Sequence, residues 1–137
     1  MASTQAAKGR THMFNPVLVT VANQLIDFCN KGEEAEALST LYDEGVVSVE
    51  AAAMPGMERE TYGLEDLKAK HDWWNNAYEV HQTKAEGPFC FGDNQFTVIF
   101  NMDFTDKESG ERTQAREIAL YSVLDGKITR EEFFYEA

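Results

Sequence analysis

Phe96, Val98, Phe100, Met102 and Phe104 are large, apolar and spaced two apart, while Thr97, Ile99, Asn101, Asp103 and Thr105 interleave with them and are mostly polar. Alternate side chains of a β-strand point to opposite faces, so 95–105 reads as a strand with one face on a core and the other turned away from it. A slip of one residue would put every one of these aromatics in water, which fixes the register tightly. Few chains can absorb such a segment without several paired neighbours. The neighbours are present: 78–89, 112–124 and 127–135 share the period of two. Gly92-Asp93-Asn94, Lys107 to Gly110 and Asp125-Gly126 separate them, and turns this short force antiparallel pairing.

Before Tyr78 the period is helical. Asn15-Pro16 reads as an N-cap followed by proline at the first helical position, where its missing amide proton costs nothing. Leu18, Val21, Leu25 and Phe28 then make an apolar stripe, and Gly32 is placed to end it. A second helix is expected over 33–42, with Ala37, Leu38 and Leu41 inward. Val46 to Ala51 alternates and is β-branched, so it reads as a first strand. Pro55, Gly56 and Gly63 mark 54–63 as a loop. A third helix follows over 64–77, where Leu64, Leu67, His71 and Trp74, continued by Tyr78, form an apolar and aromatic stripe with a histidine in its middle.

Three helices followed by long antiparallel strands make an α+β domain, with the helices on one face of a strongly curved, mostly antiparallel sheet. The shape is a cone whose open mouth is a natural apolar pocket. At 137 residues the chain has room for one domain, read as 14–137 behind a polar leader at 1–13 that is expected to be flexible. The outer sheet face carries Ile99, Ile118, Leu120 and Phe134, too apolar to stay in water, so a sheet-to-sheet homodimer is expected.

Charge and composition narrow the function. Twelve basic against 24 acidic residues leave a net charge of -12, which repels nucleic acid and anionic lipid. No run approaches the ~20 apolar residues of a membrane span, and no secretory signal is visible, so a cytoplasmic protein is expected. Cys29 and Cys90 form no CxxC and read as buried free thiols. With His12, His71 and His81 as the sole histidines, and no HxxxH spacing, no metal site is expected. Glycine-rich phosphate loops and a GxSxG elbow are missing too, and no cofactor is expected.

Four segments carry a resemblance: LYDEGVVSVE at 41–50, AKHDWW at 69–74, EGPF at 86–89 and DGKITREEFFY at 125–135. Together they are similar to the SnoaL-like branch of the nuclear transport factor 2-like superfamily, over about residues 14–136. The resemblance implies the cone-shaped α+β fold. It also implies a range of activities, among them polyketide cyclases, a steroid isomerase, an epoxide hydrolase, dehydratases and noncatalytic association domains. Fold alone cannot choose among these. The steroid isomerase's general base and two donors match Ala51, Ala119 and Leu25, so that reaction by that mechanism is not expected here. The resemblance further implies that Tyr121, Phe133 and Tyr135 look into the cone.

Given that orientation, alternation puts Ala115, Glu117, Ala119, Tyr121 and Val123 on the inner face, with Thr129, Glu131, Phe133 and Tyr135 beside them. Glu117 is the strongest candidate for a general acid or base, because a carboxylate in an apolar cone has its charged form desolvated. The other reading is a buried polar pair, with His71, a lysine or a tyrosine hydroxyl satisfying it. His71 could relay a proton or serve as a hydrogen-bonded core histidine. Tyr121 could donate to a carbonyl or enolate oxygen, or simply pack its ring. Trp74, Phe100, Met102, Glu131, Phe133 and Tyr135 are the expected ligand-lining residues. Glu50 and Asp103 are assigned by alternation to the outer face.

Two functions fit. One is a small cofactor-independent enzyme, a cyclase, isomerase or dehydratase, moving a proton on a hydrophobic carbonyl compound through Glu117 with His71 or Tyr121 assisting. The other is a noncatalytic binding or association module whose cone is filled by its own side chains. An open cavity with these groups converging favours the first, and a packed, dry interior the second.

Overall fold

A computed structural model describes residues 15–136. The leader expected over 1–13 lies outside them. Helix α1 spans Pro16–Asn30, and the Asn15 side chain caps it by accepting from the Val17 and Leu18 amides. Its stripe buries Leu18, Val21, Ala22, Leu25 and Cys29. After it, Gly32 takes a left-handed φ of 72°, which lets the Glu33 amide reach back to the Phe28 carbonyl. Helix α2 (Glu34–Leu41) runs directly into strand β1 (Tyr42–Val49). Helix α3 (Leu64–Ala77) has Glu65 and Asp66 in its first turn, where the helix dipole favours negative charge.

The four long strands stand where the period of two puts them: β3 (Tyr78–Phe91), β4 (Gln95–Asp106), β5 (Arg112–Leu124) and β6 (Lys127–Phe134). With β1 and β2 (Glu60–Tyr62) they form a six-stranded sheet in the order β2-β1-β6-β5-β4-β3. Among the described strands only β1 and β6 pair in parallel. Asp125 and Gly126 both take positive φ, the backbone a two-residue hairpin needs between β5 and β6. Pro88 lies in the edge strand β3 where pairing with β4 shifts register between Glu86 and Phe89, the kind of position at which a strand tolerates proline.

The three helices cover one face of this sheet. Beneath them Phe96, Val98, Phe100, Ala119, Tyr121 and Ile128 are buried with the apolar faces of α1 and α2, and Phe96 stacks on Tyr121 with ring centroids 4.9 Å apart. Asp103 stays outside the core, gripped by the Arg112 guanidinium at 2.9 and 2.8 Å, which holds its carboxyl below the usual range.

Several expectations are corrected. Strand β1 begins at Tyr42, four residues before the expected Val46, because α2 passes into it without a loop. The segment 54–63 is not all loop: Glu60–Tyr62 pairs with Val47–Val49. The inner face of β1 carries Val46 and Ser48, not Val47 and Ala51, so Glu50 turns toward the interior. The polar side chains can be inside because Glu131 stands opposite Ser48 on β6 and accepts its hydroxyl proton. At the start of β6 a register shift beside Ser122 makes Ile128 the buried residue, and Thr129 hydrogen-bonds the Ser122 carbonyl instead of facing inward. Cys29 is a buried free thiol, whereas Cys90 is half-buried.

Candidate functional site

Between the helices and the concave sheet lies a cavity of about 950 Å³, open to solvent. That is the volume range of small-molecule sites. Glu117, His71, Tyr121, Trp74, Phe100, Met102, Glu131, Phe133 and Tyr135 all line it. Strand β5 delivers Glu117 between Ala115 and Ala119, two small side chains that leave space over the sheet. Strand β4 places Phe100 directly opposite Glu117, and Met102 opposite Ala115. Helix α3 supplies His71 and Trp74 from the other side.

One wall is aromatic. Trp74 stacks on Tyr78 with centroids 4.2 Å apart, and Phe104 meets both rings edge-on, at 5.2 and 5.5 Å. Trp73, on the flank of α3, touches Tyr78 edge-on but is itself exposed. This wall offers a large, rigid apolar surface to a flat ligand.

The floor is a fixed polar network. Glu131, on β6, is 1% exposed; its Oε1 accepts from the Tyr42 hydroxyl at 2.6 Å and its Oε2 from the Ser48 hydroxyl at 2.7 Å. With both oxygens engaged, its structural bonds are complete without a ligand. Burial, reinforced by the negative charge of Glu131, pushes the Tyr42 and Tyr121 hydroxyls well above the ordinary tyrosine pKa, so both are neutral donors. Cys29, also at the cavity, is pushed up to about 12 by burial and by Glu34 and Glu131, which keeps it an unreactive thiol.

A second network lies at the end of β1. The Lys70 ammonium pairs with Glu50 Oε2, and the Tyr135 hydroxyl donates to Glu50 Oε1 at 2.9 Å. Burial and the Glu50 charge raise the Tyr135 hydroxyl to about 12. The position matched to an empty Ala51 in the sequence comparison therefore has an acidic side chain one residue earlier, already held by two donors.

Glu117 differs from both other carboxyls. Among the described residues no hydrogen-bond partner engages its side chain. Desolvation first, then the negative charges of Glu50 and Glu131, push its pKa up to about 7, with Lys70 partly offsetting the rise. No ion pair or hydrogen bond joins His71 to Glu117 or Glu131 among those residues. A carboxyl poised near neutrality, facing open space lined by apolar side chains, can take up or give a proton at the pH of a cell.

Glu50 and Lys70 were missed from the sequence as site residues, as were the buried partners Tyr42 and Ser48. Lys70 carried a signal: it lies three residues after Leu67 and four before Trp74, on the edge of the stripe that α3 turns inward. Among the described residues no cluster of histidine, cysteine and carboxylate side chains could hold a metal ion. No helix there is long and apolar enough to cross a membrane.

The profile of the SnoaL-like domain matches residues 18–135. A candidate SnoaL-like polyketide cyclase from Mesorhizobium loti is 35% identical, with a TM-score of 0.80 over 85% of this chain and 97% of that one. A second such candidate cyclase, from a Jannaschia species, superposes with a TM-score of 0.72 at 13% identity, covering 93% of this chain and 90% of its own. The Δ5-3-ketosteroid isomerase of a Mycobacterium species does so with 0.64 at 18% identity, covering 88% and 93%. At those two lower identities the likeness is one of fold. No curated protein matches the chain.

Proposed function

We propose, for a chain that belongs to the SnoaL-like domain family, that the cavity binds a small hydrophobic carbonyl compound and that Glu117 moves a proton on it without a cofactor. The observation that carries this reading is the unpartnered Glu117 carboxyl, with its pKa near 7, facing a cavity of about 950 Å³. Glu131 has both oxygens hydrogen-bonded inside the protein, whereas Glu117 turns a carboxyl without a protein partner among the described residues to the cavity, where a ligand's acidic C–H or hydroxyl group can meet it.

In this reading the ligand's ring system lies along Trp74, Phe100, Met102 and Phe133. Glu117 takes the proton from the carbon next to the carbonyl, and the same carboxyl returns it at a second carbon or to a leaving hydroxyl. Tyr121 and His71 border the path and assist as hydrogen-bond donors. Glu131 and Tyr135 shape the polar end. Isomerisation, cyclisation and dehydration share this opening proton transfer. Fold likeness to a candidate polyketide cyclase that is 35% identical supports carbonyl-containing substrates. The open volume weighs against a cone filled by its own side chains.

The outer sheet face supports a homodimer. Ile118 and Phe134 are registered neighbours, 46% and 48% exposed, with Ile99 next to Ile118 on β4. Pairing two such faces removes that apolar surface from water. Small-molecule chemistry of this kind and the charge of -12 suit the cytoplasm.

The test is exchange of carbonyl α-hydrogens in deuterated water, followed by loss of the methyl proton signal across a panel of hydrophobic methyl ketones that includes 2-acetonaphthone. Wild-type protein accelerates exchange of at least one ketone and Glu117→Gln does not. Equal rates for the two proteins overturn the assignment.

A further inference from the structure

Among the polar groups that line the cavity, two of opposite kinds have unused hydrogen-bonding capacity. Glu117 is one. The other is Lys70, whose side chain is 13% exposed and lies in the cavity wall. An ammonium carries three N–H donors. Glu50 is its one hydrogen-bond partner among the described residues, through Oε2. The other oxygen of Glu50, Oε1, accepts from the Tyr135 hydroxyl. Lys31, the other lysine at the cavity among the described residues, is exposed and bound to Asp27, so Lys70 is the one buried lysine there among them.

Cross-strand register places the two groups together. Ile118 pairs with Phe134, so Tyr135 continues β6 beside Glu117 on β5, and Tyr135 reaches Glu50, which holds Lys70. The Lys70 charge acts on Glu117 directly, drawing its proton affinity down against the pull of Glu50 and Glu131.

We propose that Lys70 binds the carbonyl oxygen of the ligand through its remaining N–H donors, while Glu117 addresses the carbon next to that carbonyl. This rests on the reading of the cavity as a carbonyl site and adds the group that receives the developing negative charge. In the step, the α C–H bond breaks and its proton goes to the Glu117 carboxylate. The C–H electron pair becomes the C=C bond, and the carbonyl π pair moves onto oxygen. That enolate oxygen accepts hydrogen bonds from Lys70, whose protons stay on nitrogen. Reprotonation at carbon by the Glu117 carboxyl closes the cycle with no oxidant or co-reactant. Stabilisation is available where charge develops, against apolar walls that make a fixed donor more effective than it is in open water.

The assignment also sets the ligand's charge. Glu50 already neutralises Lys70, and Glu131 and the ionised form of Glu117 make the remaining interior negative. A neutral ketone is accepted there, whereas an aryl carboxylate of the same shape meets net repulsion.

The probe is 2-acetonaphthone carrying ¹³C at its carbonyl, with 2-naphthoate as the anionic comparison. Bound to wild-type protein, the carbonyl carbon resonates well downfield of its position in hexane. In Lys70→Met the signal moves back toward the hexane value and affinity falls by about tenfold, the scale of one charge-assisted hydrogen bond. Lys70→Arg keeps part of the downfield shift. Because Lys70→Met leaves Glu50 with an uncompensated charge, Glu50→Gln/Lys70→Met is measured beside it and gives the same loss of shift in a folded protein. A downfield signal unchanged in both Lys70→Met proteins overturns the role of Lys70 while leaving carbonyl binding intact. Preference for 2-naphthoate over the ketone overturns the charge assignment. No saturable binding of the ketone by wild-type protein overturns the carbonyl-site reading, and this proposal with it.

Discussion

Glu131 accepts the Tyr42 hydroxyl at 2.6 Å across 89 positions of sequence, and this bond joins the first strand of the chain to the last where both are buried. Ser48 completes the pair at 2.7 Å. A buried carboxyl with both oxygens satisfied stabilises the fold only as long as both donors are present. Tyr42→Phe strands one oxygen and is expected to cost about 2 kcal/mol in urea unfolding. Glu131→Gln is expected to be tolerated better than Glu131→Ala, because the amide retains the shape and one acceptor.

Glu117 carries the opposite sign. Its folded pKa of about 7 lies above its ordinary value of 4.5, so the folded protein binds the proton more tightly than the unfolded chain. The stability this contributes is complete below pH 4.5 and is lost as pH rises through 7, amounting to at most about 3 kcal/mol at 1.36 kcal/mol per pKa unit. Glu117→Gln is expected to flatten the stability curve between those pH values and to unfold at higher urea than wild type at pH 8. Curves that stay parallel from pH 4.5 to 8 contradict the assignment.

Trp74 is expected to be a binding surface more than a structural one. It is half-buried, and its stack on Tyr78 leaves a face to the cavity. Trp74→Leu is expected to weaken 2-acetonaphthone binding by about tenfold, with a stability loss of about 1 kcal/mol from the lost aromatic pair. Fluorescence titration and urea unfolding of the same protein separate the two effects.

Ile118 and Phe134 test the outer face. Ile118→Lys places a charge in the middle of the apolar patch and is expected to convert a dimer into a monomer in sedimentation equilibrium at micromolar concentration. The cavity lies on the opposite sheet face, so ketone binding is expected to survive the change. A wild-type monomer under the same conditions contradicts the dimer.

Much of the architecture was legible because local signals agreed with one another. Asn15-Pro16, the period of two after Tyr78 and the Asp125-Gly126 turn each name one element and one boundary. The inner face of β5 followed from alternation once the resemblance had turned Tyr121 inward, and Ala119, Tyr121 and Val123 are buried. The face of β1 was not. Val46-Ser48-Glu50 and Val47-Val49-Ala51 are both plausible inner sets from hydrophobicity alone, and the second is the more apolar. The choice is made by Glu131, 83 positions from Ser48, which provides a buried partner for a serine that would otherwise turn outward. Glu50 follows from that register, and Lys70 follows from Glu50: a long-range pairing that no single strand encodes. Strand β2 escaped notice because three residues are too few for a period, and because β1, its partner, does the specifying.

The central claim is that the Glu117 carboxylate is the base acting on a bound carbonyl compound, and the pH dependence of α-hydrogen exchange tests it most directly. With a ketone that wild-type protein turns over, the rate is expected to rise with pH, reach half its maximum near pH 7 and level off, as one ionising carboxyl requires. Glu117→Gln is expected to remove that curve at every pH. A rate that climbs in step with hydroxide without levelling, or a curve that Glu117→Gln leaves in place, contradicts it.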